Sequence, residues 1–138
     1  MTRITRRLVV LGALCALVVA AVAGPTMAAS KKTRTVSMKV TKPFPQQGTK
    51  IRATYGGSPF GTCNMTGQLV IPRSIQTWKC KGGSFRVTAI GTSGAANDAK
   101  GTWKADKGTG KFEGISGKGT FAGQISTGVF TYKGTARY

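Results

Sequence analysis

Few side chains in this sequence could carry acid–base chemistry. The acidic residues are Asp98, Asp106 and Glu113, and the chain contains no histidine. Three separate carboxylates offer little material for a paired-carboxylate mechanism or a calcium cage. Without histidine, every imidazole base and every histidine-ligated metal site is excluded. The sequence therefore favours a non-catalytic protein, with no catalytic residue, no metal site and no cofactor.

Thiol chemistry is the other candidate, because the chain has three cysteines. Cys15 lies in an apolar N-terminal run, whereas Cys63 and Cys80 lie in the polar remainder with sixteen residues between them. No Cys-x-x-Cys spacing and no histidine are present to activate a thiolate, so we predict a structural disulfide between Cys63 and Cys80. If the two strands pair with these cysteines opposite each other, Met65 falls opposite Trp78 on the same face.

The N-terminal segment indicates export. A basic start that includes Arg6-Arg7 is followed by the apolar run Leu8–Ala23 and by small residues up to Ala29. This order is typical of a secretory signal peptide, and the run is shorter than the roughly 20 residues that span a bilayer. We predict a signal-peptide helix over residues 1–29 that is cleaved, by either the general secretory or the twin-arginine route. The remaining protein would be periplasmic or extracellular, without a transmembrane anchor.

The remaining chain, residues 30–138, has the pattern of a single all-β domain. Segments rich in β-branched and aromatic residues alternate with glycine, threonine and lysine, and no helical periodicity is present. So many short strands must hide their edges, which predicts a small closed antiparallel barrel of about eight strands. Repeated Gly-Thr steps, such as Gly119-Thr120 and Gly134-Thr135, suit close approaches of strands. The candidate strands are Thr35–Val40, Lys50–Tyr55, Cys63–Ile71, Ile75–Cys80, Phe85–Ile90, Gly101–Ala105, Lys111–Ile115, Lys118–Ser126 and Val129–Tyr138.

Large apolar side chains on the inward-facing positions could either line a cavity or fill the barrel as a solid core. A polar group inside such a cavity could come only from glutamines such as Gln68, Gln76 or Gln124, or from serine and threonine. The candidate lining residues are Met65, Trp78, Phe85, Trp103, Phe112, Phe121, Phe130 and Tyr132.

One glycine-rich segment resembles a known family. The run from Gly108 to Phe121 reads Gly-x-Gly-x-Phe-x-Gly-x-x-Gly at its start, and it resembles the signature of allene oxide cyclases and dirigent proteins. In that superfamily the run joins two strands of an eight-stranded antiparallel barrel, and Phe130–Gly134 is similar to the closing strand. The resemblance covers about residues 100–138 and implies the barrel in an exported bacterial protein. The catalytic residues of the family do not carry over, because they come largely from outside this signature.

The charge suggests a second kind of partner. The chain has 21 Lys and Arg against 3 Asp and Glu, and loss of the signal arginines would lower the formal charge from +18 to +15. The first hypothesis is an exported structural barrel or one that binds a small apolar ligand. The alternative is a cationic binder of lipopolysaccharide, acidic polysaccharide or nucleic acid, although no compact basic cluster marks a dedicated nucleic-acid site. A cyclase-type enzyme would need a polar group inside the barrel. Ligand identity and oligomeric state stay open.

Overall fold

Eight antiparallel strands form a closed barrel in sequence order, which confirms the predicted fold class. The computed structural model describes residues 30–43, 48–92 and 97–138, so the predicted signal peptide lies outside the described residues. The last strand pairs with the first as well as with the seventh, and this pairing closes the sheet. The strands are β1 (Thr33–Pro43), β2 (Lys50–Ser58), β3 (Cys63–Val70), β4 (Arg73–Cys80), β5 (Gly83–Gly91), β6 (Asp98–Asp106), β7 (Ser116–Gln124) and β8 (Val129–Arg137).

The strands form because apolar and polar side chains alternate along them. On β5, Phe85, Val87 and Ala89 are buried, whereas the intervening Arg86 and Thr88 are half-buried on the outer face. This period of two places one set of side chains inside the barrel and the other towards solvent. Burial of the inward set, from every strand, removes the apolar surface that drives the chain to close.

The β3–β4 hairpin carries the predicted disulfide. Cys63 lies opposite Cys80 with an S–S distance of 2.02 Å and a Cα–Cα distance of 4.2 Å. Met65 lies opposite Trp78, as the alternation predicted. A bond that closes a loop of this length stabilises a fold by about 3 kcal/mol in the chain-entropy model. The disulfide therefore secures the register of the hairpin at one end of the barrel.

One strand prediction is wrong. Lys111–Ile115 is not extended: Gly110–Phe112 form a short 3-10 helix, and turn hydrogen bonds continue to Ile115. Gly110 and Gly114 have φ angles of +59° and +66°, a region that an L side chain rarely adopts and glycine enters freely. The glycine-rich run therefore connects β6 to β7 and turns Phe112 into the barrel, where it is fully buried.

Glycines on β7 leave space for a tryptophan of the neighbouring strand. Gly119 lies opposite Gly134 of β8, and a Cβ atom at Gly119 would collide with the Lys133 carbonyl and the Trp103 indole. The indole Nε1 of Trp103 donates a hydrogen bond to that carbonyl at 3.0 Å. The Gly-Thr steps noted in the sequence thus lie where a large inward side chain requires a small one beside it.

The two ends of the barrel differ. The end that holds the β2–β3, β4–β5 and β6–β7 connections, which we call the closed end, is filled by packed aromatic rings. Phe60 lies 4.8 Å from Phe85 and 5.7 Å from Phe112, and Phe112 lies 5.1 Å from Tyr138, between ring centroids. The opposite end, which we call the open end, holds the β3–β4 and β7–β8 turns. The strand ends that lead into and out of the β1–β2 and β5–β6 connections lie there as well.

Candidate functional site

A cavity of about 470 Å³ occupies the open end of the barrel. Its volume lies within the range of roughly 300–1,000 Å³ found for small-molecule sites. The wall is mainly apolar and the charged residues that border it, Arg52, Asp98 and Lys100, are exposed. The buried part of the wall consists of Ile51, Ala53, Tyr55, Met65, Ser74, Gln76, Ala89, Phe121 and Tyr132.

Tyr55 and Tyr132 close the bottom of the cavity and Trp78 packs behind them, and we call these three rings the aromatic floor. Tyr55 stacks on Trp78 with 4.6 Å between ring centroids, and Tyr132 meets both rings edge-on at 5.4 and 5.2 Å. Such arrangements are favourable for aromatic quadrupoles beyond their burial. The floor separates the cavity from the aromatic packing at the closed end.

A polar network lies against this floor and is centred on Gln76. The Gln76 amide nitrogen donates to the Ser74 hydroxyl at 2.8 Å and to the Tyr132 hydroxyl at 2.9 Å. Its carbonyl oxygen accepts from the Trp78 indole at 2.8 Å. No buried side-chain nitrogen or oxygen among the described residues lacks a partner. Because Ser74 and Tyr132 accept from Gln76, each keeps a hydroxyl proton that it can donate to a ligand.

The two phenols of the floor are held in the protonated state. Burial raises the pKa of Tyr55 well above its usual range, and the neighbouring Tyr132 adds to the shift. Burial also raises the pKa of Tyr132 to about 12, against the opposing effect of the hydrogen bond from Gln76. At neutral pH the floor therefore presents uncharged hydroxyl groups, which can donate hydrogen bonds to an oxygen acceptor on a bound molecule.

The structure divides the eight candidate lining residues into two groups. Met65, Phe121, Phe130 and Tyr132 border the cavity. Trp78 packs beneath Tyr55 in the floor, while Phe85, Trp103 and Phe112 are buried outside the cavity wall. The interior is thus neither solid nor fully open, since large side chains fill one half and small ones such as Ala53 and Ala89 leave the other half empty.

Two of the polar residues at the site were only loosely indicated by the sequence. Gln76 is one of the glutamines considered for the interior, and it is buried, whereas Gln68 and Gln124 are exposed. Ser74 was not singled out. Both positions share the inward face of β4 with Trp78, so the alternation along this strand carried the signal.

The acidic residues take no part in the network. Asp106 accepts two hydrogen bonds of 2.7 Å from Arg86 on the outer face of the barrel, and these bonds lower the pKa of its carboxyl group. Glu113 is exposed in the β6–β7 connection at the closed end. Asp98 alone borders the cavity, where it is exposed at the rim. None of these three acids lies inside the cavity, where a cyclase-type mechanism would call for one.

Comparison of the chain with protein-family models, with curated proteins and with solved structures found no match. The described residues hold no group of three or more Cys, Asp or Glu side chains that could bind a metal ion. Within the same residues, no helix is long and apolar enough to cross a membrane. The fold and the site together define a small antiparallel barrel with an open, mainly apolar cavity.

Proposed function

We propose that the protein is an exported, non-catalytic β-barrel that binds a small apolar ligand carrying one polar group. The observation that carries this proposal is the open cavity of about 470 Å³, with an apolar wall and a single polar network at its floor. Sites of this kind bind by apolar burial and orient the ligand through a few fixed polar groups. Export is supported by the signal-like N-terminus and by the disulfide, which is typical of oxidising compartments.

Kinship with the allene oxide cyclase and dirigent barrels is part of the proposal. Its support is the glycine-rich run, which here forms the connection between β6 and β7 in a barrel of eight strands. The fold alone supplies no reaction, and the polar groups at the floor are an amide and hydroxyls with no acid or base beside them. Binding rather than turnover is therefore the function that this cavity supports best.

The ligand class follows from where the polar groups lie. Ser74 and Tyr132 can each donate a proton at the floor, so the inner end of the ligand would carry an acceptor such as a hydroxyl, carbonyl or carboxyl oxygen. The rest of the molecule would contact Ile51, Met65 and Phe121 on the wall. A fatty acid or a comparable lipid-like molecule meets both conditions.

Filling the cavity should abolish binding. Leu69 is half-buried and borders the cavity, so Leu69→Trp places a larger side chain in the space that a ligand would use. We expect the wild-type protein to bind cis-parinaric acid, a fluorescent fatty acid, and Leu69→Trp to weaken that binding at least tenfold. Ile75→Trp is the matched control, because Ile75 is exposed on the outer face of the adjacent strand. Its affinity should stay within about twofold of wild type.

Folding of both tryptophan variants is checked by circular dichroism and by the urea midpoint. Equal affinities for the two folded variants would place the fatty acid outside the cavity. Absence of binding to wild type, together with native mass spectra that show no molecule taken up from a lipid extract, would overturn the ligand-binding proposal.

A second candidate function is the binding of anionic polymers, and the charge distribution at the closed end favours it. Besides Arg86, ten lysines and arginines of the described residues lie at or near this end, with two acids, of which Asp106 is already paired with Arg86. Several cations on one end of a small barrel can contact successive anionic groups of a polysaccharide or a nucleic acid. The ten residues are Lys31, Lys32, Arg34, Lys79, Lys81, Lys104, Lys107, Lys111, Lys118 and Arg137.

The salt dependence of binding tests this second candidate. We expect binding of fluorescein-labelled heparin to fall with sodium chloride with a log–log slope of about 3 or more. The closed-end triple variant, Lys79→Gln with Lys81→Gln and Lys118→Gln, should reduce that slope by about 2. The open-end triple variant, Lys42→Gln with Lys50→Gln and Arg73→Gln, removes the same charge and should reduce it by less than 1. A wild-type slope below about 2 would indicate only non-specific electrostatic attraction and would contradict this second function.

A further inference from the structure

The exposed large hydrophobic side chains of the described residues lie in the half of the barrel where the cavity opens. Val70 and Ile71 are the most exposed, at 68% and 81%. They occupy the end of β3 and the turn to β4, and Ile71 also borders the cavity. Large apolar side chains exposed together at one end of a barrel indicate an interaction site. The complete set is Val70, Ile71, Ile75, Ile90, Ile125 and Val129.

Two apolar tips stand on opposite sides of the cavity mouth. The β3–β4 tip carries Val70 and Ile71, and the β7–β8 tip carries Ile125 and Val129. In a closed ring of eight strands, these two turns are separated by four strands in either direction. A partner that covers both tips must therefore extend across the whole mouth, as a flat apolar layer would.

Exposed cations lie at the same end of the barrel. Lys42, Lys50 and Arg73 lie at the open ends of their strands and are exposed, and Arg52 and Lys100 border the cavity. Asp98 is the acid at this end among the described residues. Cations on β1, β2, β4 and β6 at the end that carries the apolar tips complement an anionic lipid surface, where each lysine or arginine strengthens attraction to the headgroups. A second copy of the chain would bring like charge to the same place.

We propose that the open end docks on an anionic lipid bilayer, with the two apolar tips inserted between the headgroups. The mouth of the cavity then faces the acyl chains, and a lipid-like ligand passes between bilayer and cavity without crossing water. The docking itself stands on the tips and the cations. The transfer of ligand rests additionally on the proposed binding function.

Vesicle binding tests the docking. We expect the wild-type protein to co-sediment with vesicles of phosphatidylcholine and phosphatidylglycerol at equal amounts, and to bind phosphatidylcholine vesicles at least tenfold more weakly. The double variant Val70→Ser with Ile71→Ser should weaken binding to the anionic vesicles at least tenfold, because it removes the apolar surface that inserts. Ile75→Ser removes apolar surface from the outer wall, away from the two tips, and should change binding less than threefold.

The two triple variants show which end meets the bilayer. The open-end triple variant should weaken binding to anionic vesicles more than tenfold, whereas the closed-end triple variant should stay within about threefold of wild type. Equal losses would mean that net charge alone attracts the protein, and would overturn the orientation. A wild-type dimer that Val70→Ser with Ile71→Ser converts to a monomer would assign the tips to a second copy and overturn the proposal.

Binding of cis-parinaric acid from solution separates this proposal from the binding function. We expect Val70→Ser with Val129→Ser, which removes apolar surface from both tips at residues outside the cavity wall, to bind the fatty acid within threefold of wild type while no longer binding the vesicles. If the wild-type protein binds the fatty acid but does not bind anionic vesicles, the docking proposal is wrong and the proposed binding function is still supported. Vesicle docking by a protein that binds no fatty acid would support the docking and overturn the transfer of ligand.

Discussion

Gln76→Leu is expected to lower the free energy of unfolding by about 3 kcal/mol. Gln76 is 3% exposed and makes hydrogen bonds to Ser74, Trp78 and Tyr132. Leucine has a similar volume but no polar atom, so the indole N–H of Trp78, which is buried behind the cavity wall, loses its acceptor. A buried donor without a partner costs about 1–3 kcal/mol, and the lost hydrogen bonds add to this. Urea unfolding followed by fluorescence measures the change.

Gln68→Leu is the matched control, because the same substitution is made on the outer face of β3, where Gln68 is exposed. Its effect should stay within about 0.5 kcal/mol. If Gln76→Leu also lowered the free energy of unfolding by no more than about 0.5 kcal/mol, the network would contribute little to stability.

Repeating Gln76→Leu in a Trp78→Phe background measures how much of the lost stability comes from the Trp78 N–H without an acceptor. Phenylalanine has no N–H, so Gln76→Leu should cost about 1–2 kcal/mol less in this background than in wild type. Additive effects of the two substitutions would contradict the assignment of Trp78 as the residue that needs Gln76. A coupling of the expected size would identify the network as the reason that a polar side chain occupies the floor.

The barrel was predictable from the sequence because its strands alternate so regularly. Inward Phe85, Val87 and Ala89 on β5 mark a half-buried strand, and the cysteine pair sets the β3–β4 register without any further information. Once one hairpin is in register, the number of short strands leaves closure as the way to pair both edges. Local patterns therefore determined the fold class.

The β6–β7 connection was misread because its residues also alternate. Lys111, Phe112 and Glu113 have the charged–apolar–charged order of a strand, and Phe112 does point inwards. What distinguishes a turn here is the positive φ of the flanking Gly110 and Gly114. Glycine permits that conformation but does not require it, so the pattern alone could not choose between strand and turn.

The division of the interior into a filled and an empty half could not be read from the alternation. The period of two tells which side chains point inwards, but not which of them share a level along the barrel axis. Ala53 lies beside Met65 because of the β2–β3 register, and the open end is empty because Ala53, Ser74 and Ala89 are small there. Cavities depend on such registers between strands, and only the β3–β4 register was available from the sequence.

Alkaline pH is expected to unfold the protein through the two phenols of the aromatic floor. The pKa of Tyr132 is raised from 10.0 to about 12, and the pKa of Tyr55 is raised beyond the usual range, both mainly by burial. In the unfolded chain both phenols ionise near pH 10, so from there upwards the unfolded state releases protons that the folded state retains. Stability is therefore fully present below pH 10 and falls as pH rises towards 12.

The expected slope is about 1.4 kcal/mol per pH unit for each buried tyrosine, or on the order of 5 kcal/mol for the pair between pH 10 and 12. Urea unfolding at a series of pH values measures it. Lysine deprotonation in the same range alters the net charge, so Tyr55→Phe serves as the reference with identical lysines. It should reduce the slope by about half, because one of the two retained protons is gone. Parallel stability curves for wild type and Tyr55→Phe would mean that Tyr55 can ionise within the fold, and that the cavity floor is open to hydroxide.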